Sequence, residues 1–447
     1  MFEKPLINTL VQMAGKGLTM VLGLFLTAIL IRKLGVNKYG YFVLISSTFI
    51  MLDSVADFGS KIIGVKEISA RPERARQIWR DVFWFRILMA GAAVLVGTLF
   101  VLFWPGLAEV RGVALLALIV IVLTVAAGSL EIIWQWKLKM ELKVIGEVLF
   151  SGLFLLIVWM LKDEVSLWGV YGAVIAARIL SLLVAIKLFL GTWKFEGKRF
   201  FEINLKRMRS LLAICWPMGV YLLIFTSYDR VVDALMIDRF LGTEAVARYG
   251  LAYKIYGVLI QPAYFFTASV FPLMALHGGQ ARFGGQARFG GQTRRKLASS
   301  QSAGQENKLF SKSLAWLSLG LLLIIPLTFI SAGWMVGVLA GSEFDQSVTV
   351  LKILLLALVF AYFNHLTGFQ LISRGGQGKM LKLGIVSLAF NFGANYLIVP
   401  KFGINGAAGV TVATEGLMLV LMTMTLRTSH LGGVRPACRQ TGPTSEE

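Results

Sequence analysis

Apolar runs of about 18 to 26 residues follow one another along nearly the whole of this 447-residue chain, and they limit its fold more than any motif does. A helix rises 1.5 Å per residue, so about 20 apolar residues span the roughly 30 Å hydrocarbon core of a bilayer. Such runs predict an all-α, polytopic membrane protein rather than a soluble core. Composition agrees, with 57% hydrophobic and 15% charged residues and a mean hydropathy of +0.73. The formal net charge of +20 would suit a nucleic-acid binder if the basic residues formed one patch. They are scattered over many short loops instead, so no nucleic-acid partner is expected. Cys215 and Cys438 make neither a disulfide framework nor a ligand spacing. The N-terminal stretch MFEKPLINTLVQMAGKG has no short apolar core followed by a small-residue cleavage site, so the first helix is expected to be retained.

Twelve spans are predicted. The first six run from about Ile7 to Ile31, Tyr39 to Ile63, Val82 to Trp104, Val113 to Trp136, Val144 to Leu161 and Leu167 to Leu190. The second six run from about Leu211 to Ile237, Gly250 to Leu276, Ser313 to Ala340, Val350 to Ile372, Met380 to Val399 and Ile404 to Leu426. The expected organisation is a six-helix bundle over residues 1–190, a basic linker at 191–210, a second six-helix bundle over 211–426 and a tail at 427–447. In the linker, Phe and Leu alternate with Lys and Arg, which suits a helix lying on the membrane surface. With the N-terminus inside, the inner segments hold more than three times as many Lys and Arg as the outer turns; Lys66, Arg71, Arg74, Arg76 and Arg80 all follow span 2. This asymmetry predicts a multi-pass protein of the cytoplasmic (cell) membrane with both termini cytoplasmic.

The chain also reads as one half written twice. Leu34-Gly35 leads to Tyr39-Gly40 and a long apolar run, and Leu241-Gly242 leads to Tyr249-Gly250 and another. Gly169, Gly172 and Ala173 open span 6 as Gly403, Gly406 and Ala407 open span 12. An even number of spans per half makes the copies parallel repeats about an axis along the membrane normal, facing a central cavity. His277 to Asn307 does not fit the repeat. It holds GGQARF, GGQARF and GGQTRR in immediate succession from Gly278 to Arg295, and residues 277–309 are expected to be a flexible cytoplasmic insert without an essential role.

Chemistry has to be sought among the charges inside the spans, because no phosphate loop, His-Glu-x-x-His or Cys-x-x-Cys is present. No catalytic residue, metal ligand or cofactor is therefore expected, and Asp57-Phe58-Gly59 matches a kinase motif only by letters. A charge at membrane depth costs about 2.5 to 3.5 kcal/mol on insertion scales, so each one calls for a partner, a wet cavity or a function. Asp53, Asp57 and Lys61 stand at i, i+4 and i+8 on span 2, with Lys16 at similar depth on span 1, and their simplest reading is a mutually compensating ion network. Arg86, Glu131 and Glu147 lie near inner ends, where side chains can snorkel. Arg178 lies about 18 Å from the inner end of span 6, too deep for that, and is expected to bind an anion or to form an ion pair, with Glu415 of span 12 a candidate acid. Asp229, Asp233 and Lys254 are expected to pair at the outer mouth. Pro217, Pro262 and Pro326 interrupt spans 7, 8 and 9 and allow them to bend.

Three stretches carry a family resemblance: LGVNKYGYFVLISSTF followed by ADFG, SYDRVVDALMIDRFLGTEAVARYGLAYKI, and NFGANYLIVPKFGINGAAGVTVATE. In this order and with twelve spans, the chain resembles polysaccharide biosynthesis flippases of the Wzx type, within the multidrug/oligosaccharidyl-lipid/polysaccharide exporter superfamily. The long Gly-Gln-Arg insert departs from the short loop usual there. The resemblance implies two six-helix bundles facing each other in a V, a cationic cavity, and alternating access that moves a polyprenyl-diphosphate-linked oligosaccharide to the outer leaflet. It also implies membrane lipids and other polysaccharide assembly proteins as partners, and H⁺ or Na⁺ as a coupling ion. Arg178 and Lys16 are the first candidates to meet the diphosphate, with Lys61 and Arg86 second; Asp53, Asp57, Asp229, Asp233 and Glu415 are the candidates for ion coupling or structural ion pairs. A cation-coupled drug exporter of the same superfamily is the nearest alternative. A membrane glycan polymerase or glycosyltransferase is the alternative from the enzyme class, and it would need a sizeable outer loop that this sequence lacks.

Overall fold

The computed structural model describes residues 3–161, 165–193, 204–270, 274, 292–374 and 376–431. Among these, nine helices are long and apolar enough to cross a membrane, and two of the nine, Val11–Ala70 and Gly378–Thr428, are each long enough to cross it twice. In chain order the helices are α1 (Glu3–Asp57), α2 (Ser60–Ala70), α3 (Ala75–Phe103), α4 (Arg111–Ala117), α5 (Ile119–Trp136), α6 (Met140–Met160) and α7 (Leu167–Thr192). The second half holds α8 (Leu205–Thr226), α9 (Val232–Leu241), α10 (Thr243–Leu259), α11 (residues 261–270), α12 (Gln292–Ala340), α13 (Asp345–Ser373) and α14 (Gln377–Leu431). Kinks at Gly35 and Gly403 divide α1 and α14 into two spans each. A π-helical turn at Ser227–Val231 joins α8 to α9 as span 7, and α10 with α11 forms span 8. The result is an all-α, polytopic membrane protein of twelve spans in two parallel six-helix repeats.

The repeat read from the sequence is visible in the backbone. Gly35 (φ 70, ψ 174) and Gly242 (φ 82, ψ 175) have nearly the same conformation, in a region that only glycine adopts freely, so both Leu-Gly turns bend the chain alike. Beyond the turns the halves approach closely at glycines. A Cβ on Gly250 would lie 2.7 Å from Val43, and one on Gly40 would collide with the Thr243 carbonyl.

Two element boundaries differ from the sequence expectation. Span 8 begins at Thr243 rather than near Gly250, which sets Lys254 about three turns inside the helix. α12 begins at Gln292, within the segment expected to be a loop. Most of the GGQARF array and half of the basic linker lie outside the described residues.

Apolar packing is unequal at the two ends. Taking the turns at Gly35, Gly242, Gly341 and Gly403 as the outer end, one continuous core there joins both repeats, with Leu44, Tyr171, Val246, Ala252, Leu354 and Ala407 among its members. Toward the inner end the cores separate. Ile68, Trp79, Ile133 and Phe189 form one in the first repeat, and Leu371, Met380, Met418 and Met422 another in the second. A small cluster of Phe58, Phe85, Met208 and Cys215 bridges the two repeats there. Outside, α12 presents Leu322, Leu327, Ile330 and Trp334 at 71–83% exposure, an apolar face of the kind that lies against lipid.

Candidate functional site

A break in span 2 organises the first repeat's polar interior. α1 ends at Asp57, Phe58 (φ 42) and Gly59 (φ 74) take left-handed conformations, and α2 restarts at Ser60. The helical face expected to align Asp53, Asp57 and Lys61 is therefore interrupted, and the two charges across the break find different partners. Asp57 accepts from Nη1 of Arg86. The same guanidinium donates to Ser60 Oγ (3.0 Å) and, from Nε, to Ser129 Oγ (2.9 Å). At 1% exposure Arg86 does not snorkel; it is held in the interior by an acid and two hydroxyls. Lys61 instead reaches Glu131 (3.3 Å), which with Glu147 also faces Lys143 at 3.7 Å. Gly128 makes the crowding possible, since a Cβ there would lie 2.6 Å from Lys61 Cε and 3.1 Å from Arg86 Nη2.

Arg178 sits deeper in the same lobe. Its guanidinium carbon lies 3.6 Å from the centre of the Phe150 ring, and its Nε is buried without a hydrogen-bond partner among the described residues. The acids within electrostatic range are Asp53, Glu131 and Glu147. Glu415 does not pair with it; that carboxylate accepts from Asn364 Nδ2 at 2.6 Å, inside the second repeat. Asp53 is half-buried between the fields of Lys61, Asp57, Arg86 and Arg178. Lys16 is exposed on α1 and, among the described residues, makes no ion pair. The first repeat thus holds three layers: Asp57 with Arg86 closed and buried, Lys61 with Glu131 and Lys143 partly open, and Arg178 with Lys16 uncommitted to any acid at contact distance.

The second repeat is built differently. Asp233, 2% exposed on α9, accepts from Tyr249 OH (2.5 Å), Thr411 Oγ1 (2.8 Å) and Asn395 Nδ2 (2.8 Å), with Asn391 Nδ2 at 3.5 Å. The expected pairing of Asp233 with Lys254 is not formed, because α9 turns the carboxylate into the repeat while Lys254 lies on the other side of α10, beside Gly23 of α1. The side chain of Asp229 lies outside the described residues. Asn391, Asn395 and Thr411 gave a sequence signal only in retrospect: three small polar residues in otherwise apolar spans, on the two helices that flank span 7. Asn395 Oδ1 is buried and unpaired in this cluster, so its oxygens outnumber the donors that satisfy them.

Comparison with known proteins follows the same lines. A 212-residue stretch is 24% identical to the Uncharacterized membrane protein MJ1068 of Methanocaldococcus jannaschii, over 46% of this chain and 37% of that protein. The chain therefore spans well under half of the curated relative it matches. Among solved structures, Lipid II flippase MurJ in an inward closed conformation superposes with a TM-score of 0.72 at 14% identity, covering 94% of this chain and 87% of that one. An inward-facing multidrug resistance MATE family transporter of the MOP superfamily superposes with a TM-score of 0.68 at 15% identity, covering 92% and 95%. At such identities these likenesses establish the fold, in agreement with the twelve spans in two repeats described above. Residues 6–276, more than half of the sequence, match the profile of the family described as Polysaccharide biosynthesis protein, and the chain belongs to that family.

Proposed function

We propose that this protein is a Wzx-type flippase that moves a polyprenyl-diphosphate-linked oligosaccharide from the inner to the outer leaflet by alternating access. The observation that carries the reading is Arg178, a guanidinium set deep in a span with a buried, unpaired Nε. An unpaired buried donor costs about 1–3 kcal/mol, which an arriving phosphate oxygen would relieve. The planar fork of Arg suits two phosphate oxygens at once. Lys16 and Lys61 supply further positive charge along the same lobe, and Lys254 supplies it from the facing one. Arg86 is assigned to structure, since Asp57 and two serines already use its donors. Sugars and diphosphate cannot cross hydrocarbon unaided, whereas a polyprenyl tail can stay in lipid.

Coupling is assigned to the second repeat. Asp233 is a buried carboxylate surrounded by neutral groups, and its two oxygens, with those of Thr411 and Asn395, form an oxygen-only donor set for a monovalent cation, Na⁺ or H⁺. Mass spectrometry of lipid-linked sugars in a deletion strain tests the whole reading. Accumulation of one completed lipid-linked glycan with depletion of the undecorated carrier is the expected result, and an unchanged lipid-linked pool would reject the flippase in favour of a small-molecule exporter.

A further inference from the structure

We infer that the Tyr249 hydroxyl is the positioning contact through which a cation at Asp233 reaches the seam between the two repeats. The inference rests on Asp233 being the coupling site. Three observations place Tyr249 there. Its ring is 3% exposed, and its OH donates to Asp233 Oδ2 at 2.5 Å while lying 3.1 Å from Thr411 Oγ1. Among the groups on Asp233 it alone comes from α10; Asn391, Asn395 and Thr411 all belong to α14. The next residue, Gly250, is the glycine against which Val43 of the first repeat packs. One peptide unit thus separates the hydrogen bond to the carboxylate from a close contact across the seam.

The rest of α10 extends this link. Tyr249 stacks on Tyr253 (5.7 Å between centroids) and Tyr253 contacts Tyr256 (5.3 Å), so the helix moves as one body with its aromatic face. Lys254, on the same stretch, lies against Gly23 of span 1. With Asp233 bare, the charge-assisted hydrogen bond holds α10 to the second repeat. A cation occupying the carboxylate competes for the same oxygen lone pairs, weakens that bond, and releases α10 to follow the first repeat. A ligand shifts a conformational equilibrium only by its differential affinity for the two states, and this contact supplies the difference. No charged side chain faces Asp233 at ion-pair distance from α10 or α14 among the described residues, so neighbouring charges do not mask the effect.

The test uses the full chain in lipid nanodiscs, with Cys215 and Cys438 replaced by Ser. Nitroxide pairs at Lys139 with Lys308 report the inner end, and pairs at Arg111 with Asp345 the outer end. Distances are measured with and without Na⁺, and across a pH jump, beside direct measurement of ²²Na⁺ binding and proton release. The wild-type protein should change its distance distributions on cation addition. Tyr249→Phe, which keeps the ring and leaves Thr411 and both asparagines on Asp233, should still bind the cation but lose the distance change. Asp233→Asn should lose both. A wild-type distance change in Tyr249→Phe overturns the inference, and so does loss of cation binding in that variant, which would make the hydroxyl a ligand only. Cation binding and distance change both intact in Asp233→Asn would instead remove the coupling site itself.

Discussion

Two arginines on the same lobe, each the twelfth residue of its helix, have opposite situations. Arg86 is fully committed: Asp57, Ser60 and Ser129 take its donors and its exposure is 1%. Replacing it with Met should strand Asp57 and destabilise the protein by about 3 to 5 kcal/mol, the usual cost of orphaning a buried charge. The double variant Arg86→Met with Asp57→Leu should recover most of that in thermal unfolding in detergent, and a double variant no better than the single would show that the pair does not act as one. Arg178 has an aromatic ring beneath it and no acid at contact distance. Arg178→Ala should therefore abolish export while the protein still accumulates in the membrane, and Arg178→Lys should restore only part, since a point charge lacks the fork. Scarce protein in Arg178→Ala would mark a structural residue instead. Basic residues at the outer end have a third use. Lys33 donates to the carbonyls of Trp159 and Leu161, and Arg32 to that of Val338 (2.9 Å), both at helix C-termini, where positive charge is favoured. Such charges are held by backbone, which explains their presence against the positive-inside trend.

At the scale of elements, helices of opposite repeats are fastened at both ends. α3 carries Asp81 near its start and is followed by Trp104; span 7 carries Arg207 near its start and Asp238 near its finish. Arg207 Nη1 reaches Asp81 Oδ2 at 3.2 Å, and Trp104 Nε1 donates to Asp238 Oδ2 at 2.7 Å. The two contacts are separated by the full height of α3, about 35 Å at 1.5 Å per residue. The proposed alternating access would require one of them to part in each half of the cycle. A disulfide between Asp81→Cys and Arg207→Cys should stop export when oxidised and release it when reduced; export that continues through the cross-link would show that this seam does not open. Span 7 has the means to bend between the contacts, with Pro217 inside α8 and a π-helical turn at Ser227–Val231. Pro217 also lies next to the break in span 2, because Phe58 stands over Gly219 and Met218 against Gly59. The flexible points of the two repeats touch.

Across the whole molecule, one shared apolar core joins the repeats at the outer end, while at the inner end separate cores are tied by a small bridging cluster and the Arg207–Asp81 contact. The direction of that asymmetry depends on topology. A reporter fused after Arg295 should behave as cytoplasmic and one at Glu343 as external; the reverse pattern would invert the cavity and the depth of every charge discussed above. The lobes also divide their labour: paired and unpaired cations in the first, a carboxylate wrapped in neutral groups in the second. That asymmetry between repeats of one ancestral pattern fits a cargo site on one side and an ion site on the other.

Span number, repeat and class were legible in the sequence because they rest on local patterns: run length against bilayer thickness, and Leu-Gly and Gly-x-x-Gly-Ala turns that recur in order. Two of those glycines do adopt matching backbone angles. The list of charges at membrane depth was legible too, since each is costly wherever it stands. Their partners were not. Spacing along a helix predicts a shared face only while the helix continues, and two left-handed residues at Phe58 and Gly59 sent Asp57 to Arg86 and Lys61 to Glu131. Asp233 met Tyr249, Asn395 and Thr411, residues 16 to 178 positions away, because three helices converge on it. Sequence fixes which groups must find compensation in a low-dielectric interior; only the packing of helices decides which group provides it.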